Sequence, residues 1–131
     1  MIDYLNQVFN AVYNAVTSEY GDIDIKGEYV NTPSSFPCVT FDELSNVSSN
    51  LDNGEIKFTD VQYRVQVFSN KANGKRGEAR AIFKTIEECL YGLNLTCKTF
   101  TTTPTIYNSN VYEIQATFEG TISSNGVIYR R

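Results

Sequence analysis

Five carboxylates lie close together in the first third of the chain and are its most obvious chemical groups. They are Asp22, Asp24, Glu28, Asp42 and Glu43. Paired carboxylates can transfer protons or bind a hard cation, and a calcium loop places them at tight spacing around a glycine turn. The spacing here does not fit such a loop. We therefore expect solvated strand faces and no metal site.

A Gly-Lys pair at positions 74 and 75 invites comparison with the phosphate-binding loop of nucleotide-binding proteins. That motif needs a glycine five residues before the Gly-Lys pair and a Ser or Thr directly after the lysine. Ser69 and Arg76 occupy those two positions, so the motif is not met. The segment predicts a solvated basic loop, or a contact to DNA backbone or to an acidic partner, and no cofactor.

Nucleophilic catalysis has equally little support. The chain has no His, which removes the commonest general base, and its three cysteines are Cys38, Cys89 and Cys97. An odd number of cysteines without metal-site spacing predicts buried thiols in a reducing compartment rather than a disulfide framework. We expect no catalytic residue and no enzyme.

Composition and charge limit the class of protein further. The chain has 131 residues, 41% of them apolar, and we expect a single domain over residues 1–131. Its formal charge of −4 argues against a dedicated nucleic-acid binder, which would need a basic surface. No stretch approaches the ~20 apolar residues of a membrane span, so we expect no membrane partner and a soluble, intracellular product.

The central prediction is a strand in residues 60–70, which the other elements must surround. Apolar and polar side chains alternate there, so one face is predicted to be dry and the other wet. The dry positions are Val61, Tyr63, Val65 and Val67, and the wet positions are Gln62, Arg64 and Gln66.

Two amphipathic patterns predict helices over residues 2–19 and 78–90, with Gly21 and Gly92 as stops. Further strands are predicted over residues 22–30, 38–44, 96–103 and 111–123, and Pro104 is predicted to end the strand over residues 96–103. Segments 45–54 and 70–77 are predicted to be polar loops. The fold class is therefore α+β: a mostly antiparallel sheet of four to five strands with two helices packed on one face, in the order α-β-β-β-α-β-β.

The predicted strands over residues 55–69 and 111–123 are much longer than the helices that cover them. Overhanging strands leave backbone edges that need a cover, and another copy of the same chain is the simplest one. The sequence therefore favours a homo-oligomer.

Several phrases carry a family resemblance that extends over nearly the whole chain. They are Ile23-Asp24-Ile25, Phe36-Pro37-Cys38-Val39-Thr40-Phe41, Tyr63-Arg64-Val65-Gln66-Val67-Phe68-Ser69-Asn70 and Tyr112-Glu113-Ile114-Gln115-Ala116-Thr117-Phe118-Glu119-Gly120, with Tyr129-Arg130-Arg131 at the end. The chain resembles the tail terminator, or tail completion, proteins of long-tailed bacteriophages, which often appear as minor capsid or head–tail joining proteins.

The resemblance implies a structural virion protein of the tail–head neck, made in the cytoplasm of a bacterial host. It implies a homohexameric ring that caps the tail tube, stops its elongation and offers the surface onto which the head docks. The partners would be the tail tube protein and a head-completion or connector protein, with double-stranded DNA passing transiently through the lumen. Alternatives are another neck component (a head-completion adaptor or stopper), a minor tail-tube component, or a ferredoxin-like cytosolic binding module.

The interface hypothesis names mostly polar and basic positions on the wet face of the central strand, in the segment after it and at the chain terminus, together with Leu51 of the loop before it. They are Lys71, Asn73, Lys75, Arg76, Arg64, Gln62, Gln66, Leu51, Tyr129, Arg130 and Arg131.

Overall fold

Two helices pack on one face of a six-stranded sheet in the computed structural model, which describes residues 2–50, 56–105 and 108–130. The elements are α1 (Leu5–Tyr20), β1 (Asp24–Lys26), β2 (Cys38–Asn50), β3 (Ile56–Ser69), α2 (Lys75–Gly92), β4 (Thr96–Thr105), β5 (Asn108–Ser123) and β6 (Ile128–Arg130). The predicted α+β class is confirmed. The sheet has one strand more than the four to five expected, because the apolar run near the C-terminus forms β6.

The strand order is β1-β2-β3-β5-β4, and β6 pairs with the distal part of β5. Every pairing is antiparallel except β1 with β2. The central position of β3 was predicted correctly from its alternating pattern, since β3 lies between the two other long strands.

The core lies between the sheet and the helices. The four dry positions of β3 are at most 1% exposed and meet Val8, Val12 and Val16 of α1 and the apolar stripe of α2 in one cluster. Burying a side chain of this size stabilises the fold by about 1.5–3 kcal/mol, so this shared face fixes the register of the long strands.

Both helix starts differ from the predictions for local reasons. Helix α1 begins at Leu5 rather than residue 2, where the Asp3 carboxylate accepts the Leu5 N–H at 3.1 Å. Helix α2 begins at Lys75 rather than residue 78, since Glu78 lies in its first turn and accepts the Ser69 hydroxyl at 2.7 Å. Lys75 and Arg76 are therefore helical residues and do not belong to a loop.

The predicted loop over residues 45–54 is wrong for its first part. Strand β2 continues to Asn50 and pairs with β3, with a register shift between Glu43 and Ser45. The polar composition suggested a turn, but pairing with β3 satisfies the backbone, and the Thr59 hydroxyl donates to the Asn46 side chain. Residues 51–55 lie outside the described ranges.

Proline 104 was expected to end β4, yet the strand runs through it and Pro104 is paired opposite Tyr112. Proline is tolerated there because β4 is the last strand of the sheet order. Residues 108–110, which precede the strand predicted over residues 111–123, are likewise part of β5. The strand predicted over residues 22–30 shrinks to β1, three residues long.

The mismatch of lengths predicted from the sequence is confirmed. Strand β3 has 14 residues and spans about 46 Å, whereas the 18 residues of α2 span about 27 Å. Of the two helices in the described ranges, neither is long and apolar enough to cross a membrane.

Candidate functional site

The basic segment after β3 forms one corner of the domain. Lys71 and Asn73 are exposed, and Lys75 and Arg76 open α2. A recess of about 460 Å³ lies here, lined by Asn70, Lys71, Ala72, Lys75 and Asn110. Within the described residues no ion pair forms at Lys71, Lys75 or Arg76. The corner therefore carries three basic side chains against the single carboxylate of Glu78 in the first turn of α2, and a helix N-terminus itself favours anions.

An acidic corner lies at the same end of the sheet but on its opposite side. Asp22 and Glu28 are exposed around β1, and Asp24 contacts the Lys26 ammonium at 3.6 Å and the Ser35 hydroxyl at 2.9 Å. Among the residues with described positions, no three His, Cys, Asp or Glu side chains are grouped so as to hold a metal ion. The corner is thus a charged surface.

Gln66 was expected on a wet face, and this expectation is wrong because the side chain is completely buried. Its amide oxygen accepts the Val30 N–H at 3.1 Å and the Thr40 hydroxyl at 2.7 Å. Its amide nitrogen donates to the Val30 carbonyl at 3.1 Å and to Glu113 at 3.2 Å. Gln66 therefore acts as a clamp that holds the β1–β2 connection over the sheet.

Arg64 and Gln62, the other two predicted wet positions of β3, also have hydrogen-bond partners. Arg64 donates to both oxygens of Asp42, at 3.1 and 2.6 Å, and its guanidinium lies 4.2 Å from the ring centre of Tyr29. Gln62 donates to Glu119 at 3.3 Å. Both side chains are half-buried, and their role in an interface stays a prediction.

The C-terminal candidates lie at the other end of the domain. The Arg130 guanidinium stacks 3.8 Å from the ring centre of Tyr91 and donates to the Tyr91 carbonyl at 3.2 Å and to Asn94 at 2.7 Å. This contact pins β6 to the C-terminus of α2, where a positive charge is favoured. Tyr129 is 51% exposed. Leu51 and Arg131 lie outside the described residues.

The structure therefore separates the predicted site residues into groups. Lys71, Asn73, Lys75 and Arg76 gather at one end of α2, and Arg130 lies at the other, about 27 Å away along the helix axis. No single site contains all of them.

An apolar groove between α2 and β4 was not predicted. Two adjoining recesses of about 420 and 410 Å³ share Glu87 and Cys97 in their walls. The exposed ring of Phe100 packs edge-on against Phe83 at 5.0 Å between ring centres. Only the three-dimensional placement of β4 beside α2 creates this groove, so the sequence pattern could not show it.

The three cysteines are free thiols, and of the three predicted to be buried only Cys38 is fully so. Cys38 is buried, and burial raises its pKa to about 11, while burial also raises the pKa of the half-buried Cys89 and Cys97 thiols. Thiolates are the reactive form, so these pKa values favour unreactive packed side chains.

Three buried polar atoms have no hydrogen-bond partner within the described structure: the Tyr63 hydroxyl, one carboxylate oxygen of Glu43 and the Thr96 hydroxyl. Tyr63 and Glu43 lie on paired residues of β3 and β2. Burial raises the pKa of Tyr63 and of Glu43, and for Tyr63 the nearby Glu43 charge adds to it. In each case burial disfavours the charged form.

Comparison with known proteins gives a consistent result. Among solved structures, the chain is similar to a component titled "Virion of native gene transfer agent (GTA) particle", with a TM-score of 0.62 and 13% identity. That match covers 85% of this chain and 90% of the other, and it shows a shared fold. A search of curated proteins found no match. The family model described as "Tail completion protein gp17" matches residues 9–125, which is most of the chain. The chain therefore belongs to the tail completion protein gp17 family, a family of structural phage tail proteins.

Proposed function

We propose that this chain forms a closed homohexameric ring that caps the phage tail tube, stops its elongation and provides the surface onto which the head docks. The observation that supports a ring most directly is the pair of open sheet edges. Strand β4 ends one side of the sheet, and β2 extends well beyond its short partner β1 on the other. Two different open edges on opposite sides suit a head-to-tail contact, which closes into a ring when the rotation allows.

The two ends of the domain support separate contacts to the tube and to the head. One end carries the basic corner at the start of α2, with Lys71, Lys75 and Arg76. The other end carries the overhanging β2–β3 pair, where Val47 is 62% exposed, and Tyr129 of β6. A cap has to present unlike surfaces above and below, because its neighbours in the particle are different proteins.

Assembly in this proposal involves surface complementarity and no bond making or breaking. The tail tube protein lies on one side and a head-completion or connector protein on the other. The net charge of −4 keeps a lumen surface from holding the DNA that passes through, since phosphates are repelled unless they are neutralised.

Removing the gene from the phage tests this function. We expect unjoined heads and tail tubes of irregular, excessive length by electron microscopy, and complementation with the intact gene should restore joined particles. Joined particles with tails of normal length, in the absence of the protein, would contradict the proposal.

Charge reversal at Lys71 and Lys75, which line the corner recess and lie outside the subunit contact inferred below, separates the contribution of the basic corner. If this corner binds a neighbouring ring or DNA, the variant folds and head joining falls. If folding, ring formation and head joining all survive, the corner is only a solvated surface.

A further inference from the structure

Strand β4 leaves one lateral edge of the sheet open. It is last in the strand order, so the side of its backbone that faces away from β5 meets no other strand among the described residues. Next to this edge lies the apolar groove under Phe83 and Phe100. An open edge of ten residues beside an apolar groove is a template for pairing with another chain.

The opposite lateral edge is open as well. Strand β1 covers β2 only from Cys38 to Thr40, and the rest of β2 has no outer partner in the residues with described positions. Two apolar side chains are exposed along this uncovered part, Leu44 at 41% and Val47 at 62%. This second edge is thus also suited to strand pairing.

The strand directions make the two edges compatible. Strands β2 and β5 run one way and β3 and β4 the other, because each neighbouring pair is antiparallel. A rotation about an axis parallel to the strands keeps these directions. Strand β4 of one copy would then meet β1 and β2 of the next in antiparallel orientation.

The register aligns particular residues at the same height. Thr101 is paired with Gln115, which is paired with Gln66; Gln66 is paired with Thr40, and Thr40 with Lys26. Thr101 on one edge is therefore level with Lys26 on the other. The two lie four strand spacings apart within one chain, about 19 Å, so they cannot touch each other there.

The charges on the two sides are mainly complementary. Arg76, Arg80 and Lys84 follow one another at four-residue steps along α2, and Arg80 and Lys84 line the groove beside β4 together with Glu87. The opposite side carries the acidic corner, where the exposed Asp22 and Glu28 flank β1. A head-to-tail contact brings the basic row of one copy toward the acidic corner of the next, which favours association and fixes its direction.

We infer that neighbouring copies join by antiparallel pairing of the β4 edge of one copy with the β1–β2 edge of the next, guided by the basic row Arg76–Arg80–Lys84 against the acidic corner at Asp22 and Glu28. This inference rests on the proposed ring and identifies its subunit contact. It fixes a heterologous interface, so every copy uses the same two unlike edges.

Charge reversal tests the contact with the full-length protein. We expect Arg76→Glu with Lys84→Glu to lower self-association at least tenfold by sedimentation velocity, and Asp22→Lys with Glu28→Lys to do the same. Mixing the two reversed variants should restore association. Lys57→Glu, an exposed reversal at the far end of β3, is the matched control and should associate like wild type.

Cysteine pairing tests the strand edges themselves. Lys26→Cys with Thr101→Cys should give a ladder of covalent multimers on oxidation, ending at the ring, because the two positions meet only between copies. Either single variant should give dimers at most.

Two negative results have different meanings. If wild type forms rings but the reversed variants assemble as well as Lys57→Glu and no ladder appears, the edge contact is wrong and the ring remains. If wild type stays a single copy at millimolar concentration and on purified tail tubes, the ring itself is wrong, and the edge contact with it.

Discussion

The side-chain amide of Gln66 binds the backbone of Val30 as a neighbouring strand would, accepting its N–H and donating to its carbonyl, each at 3.1 Å. This pair joins a fully buried residue of the central strand to the connection between β1 and β2. The connection therefore covers the helix-free face of the sheet at this point, and the open part of the β2 edge begins beyond it.

Replacing Gln66 by Leu should lower the free energy of unfolding by about 2–3 kcal/mol, because it leaves the Val30 backbone groups and the Thr40 hydroxyl without partners. Urea denaturation measures this. Gln62→Leu is the matched control on the same row, with one 3.3 Å bond to Glu119, and should cost under about 1 kcal/mol. Equal losses of unfolding free energy in the two variants would show that the Gln66 hydrogen bonds contribute no more to stability than the Gln62 hydrogen bond.

Replacing Tyr63 by Phe should instead raise the free energy of unfolding. The Tyr63 hydroxyl is buried without a hydrogen-bond partner in the described structure, so removing it ends a desolvation cost and leaves the ring packing intact. We expect a gain of about 1 kcal/mol in the free energy of unfolding. Tyr129→Phe, at an exposed ring, is the control and should change little. A clear loss at Tyr63 would mean that its hydroxyl has a partner.

Acid stability should depend on Glu43 and Glu113. Burial raises the pKa of both carboxyls above the ordinary glutamate value of 4.5, so the folded state binds more protons than the unfolded state above that value. Their contribution to stability is therefore full below the ordinary pKa, falls as pH rises through the raised pKa, and levels off above it.

Glu43→Gln should flatten this fall and make the protein more stable at neutral pH, as measured by urea denaturation across the acid range. Glu28→Gln controls for the loss of one negative charge at an exposed site. If stability falls with pH as steeply in Glu43→Gln as in wild type, Glu43 does not contribute to the pH dependence.

Substitution by alanine should have opposite effects on stability at two glycines. A Cβ at Gly120 would lie 2.7 Å from the Leu95 side chain, where β5 passes under the turn after α2. Gly120→Ala should therefore cost about 1–3 kcal/mol through overpacking. Gly77 is in the first turn of α2 with open space around it, so Gly77→Ala should stabilise by up to about 1 kcal/mol. Thermal unfolding distinguishes the two, and a stabilised Gly120→Ala would show that Leu95 moves freely.

The sequence predicted the parts of the fold that depend on periodicity. Alternation in β3 identified the central strand and its dry face, and the apolar stripes identified both helices, because burial of one face decides these patterns. The polar run at 45–50 was missed since its strand state depends on pairing with β3, which no local propensity records.

The candidate site was less predictable for a related reason. Gln66 and Arg64 occupy wet positions by alternation, yet a connection of the chain folds back over them, through Val30 and Tyr29. The open edges and the α2–β4 groove likewise follow from which strands end the sheet. Strand order is a tertiary property, so the pattern within any one strand could not give it.

Cryo-electron microscopy of the intact particle gives the sharpest test of the proposed ring. We expect six copies of this chain in a closed ring between the end of the tail tube and the head connector. A twelve-fold ring against the head, or the chain found elsewhere in the particle, would contradict it.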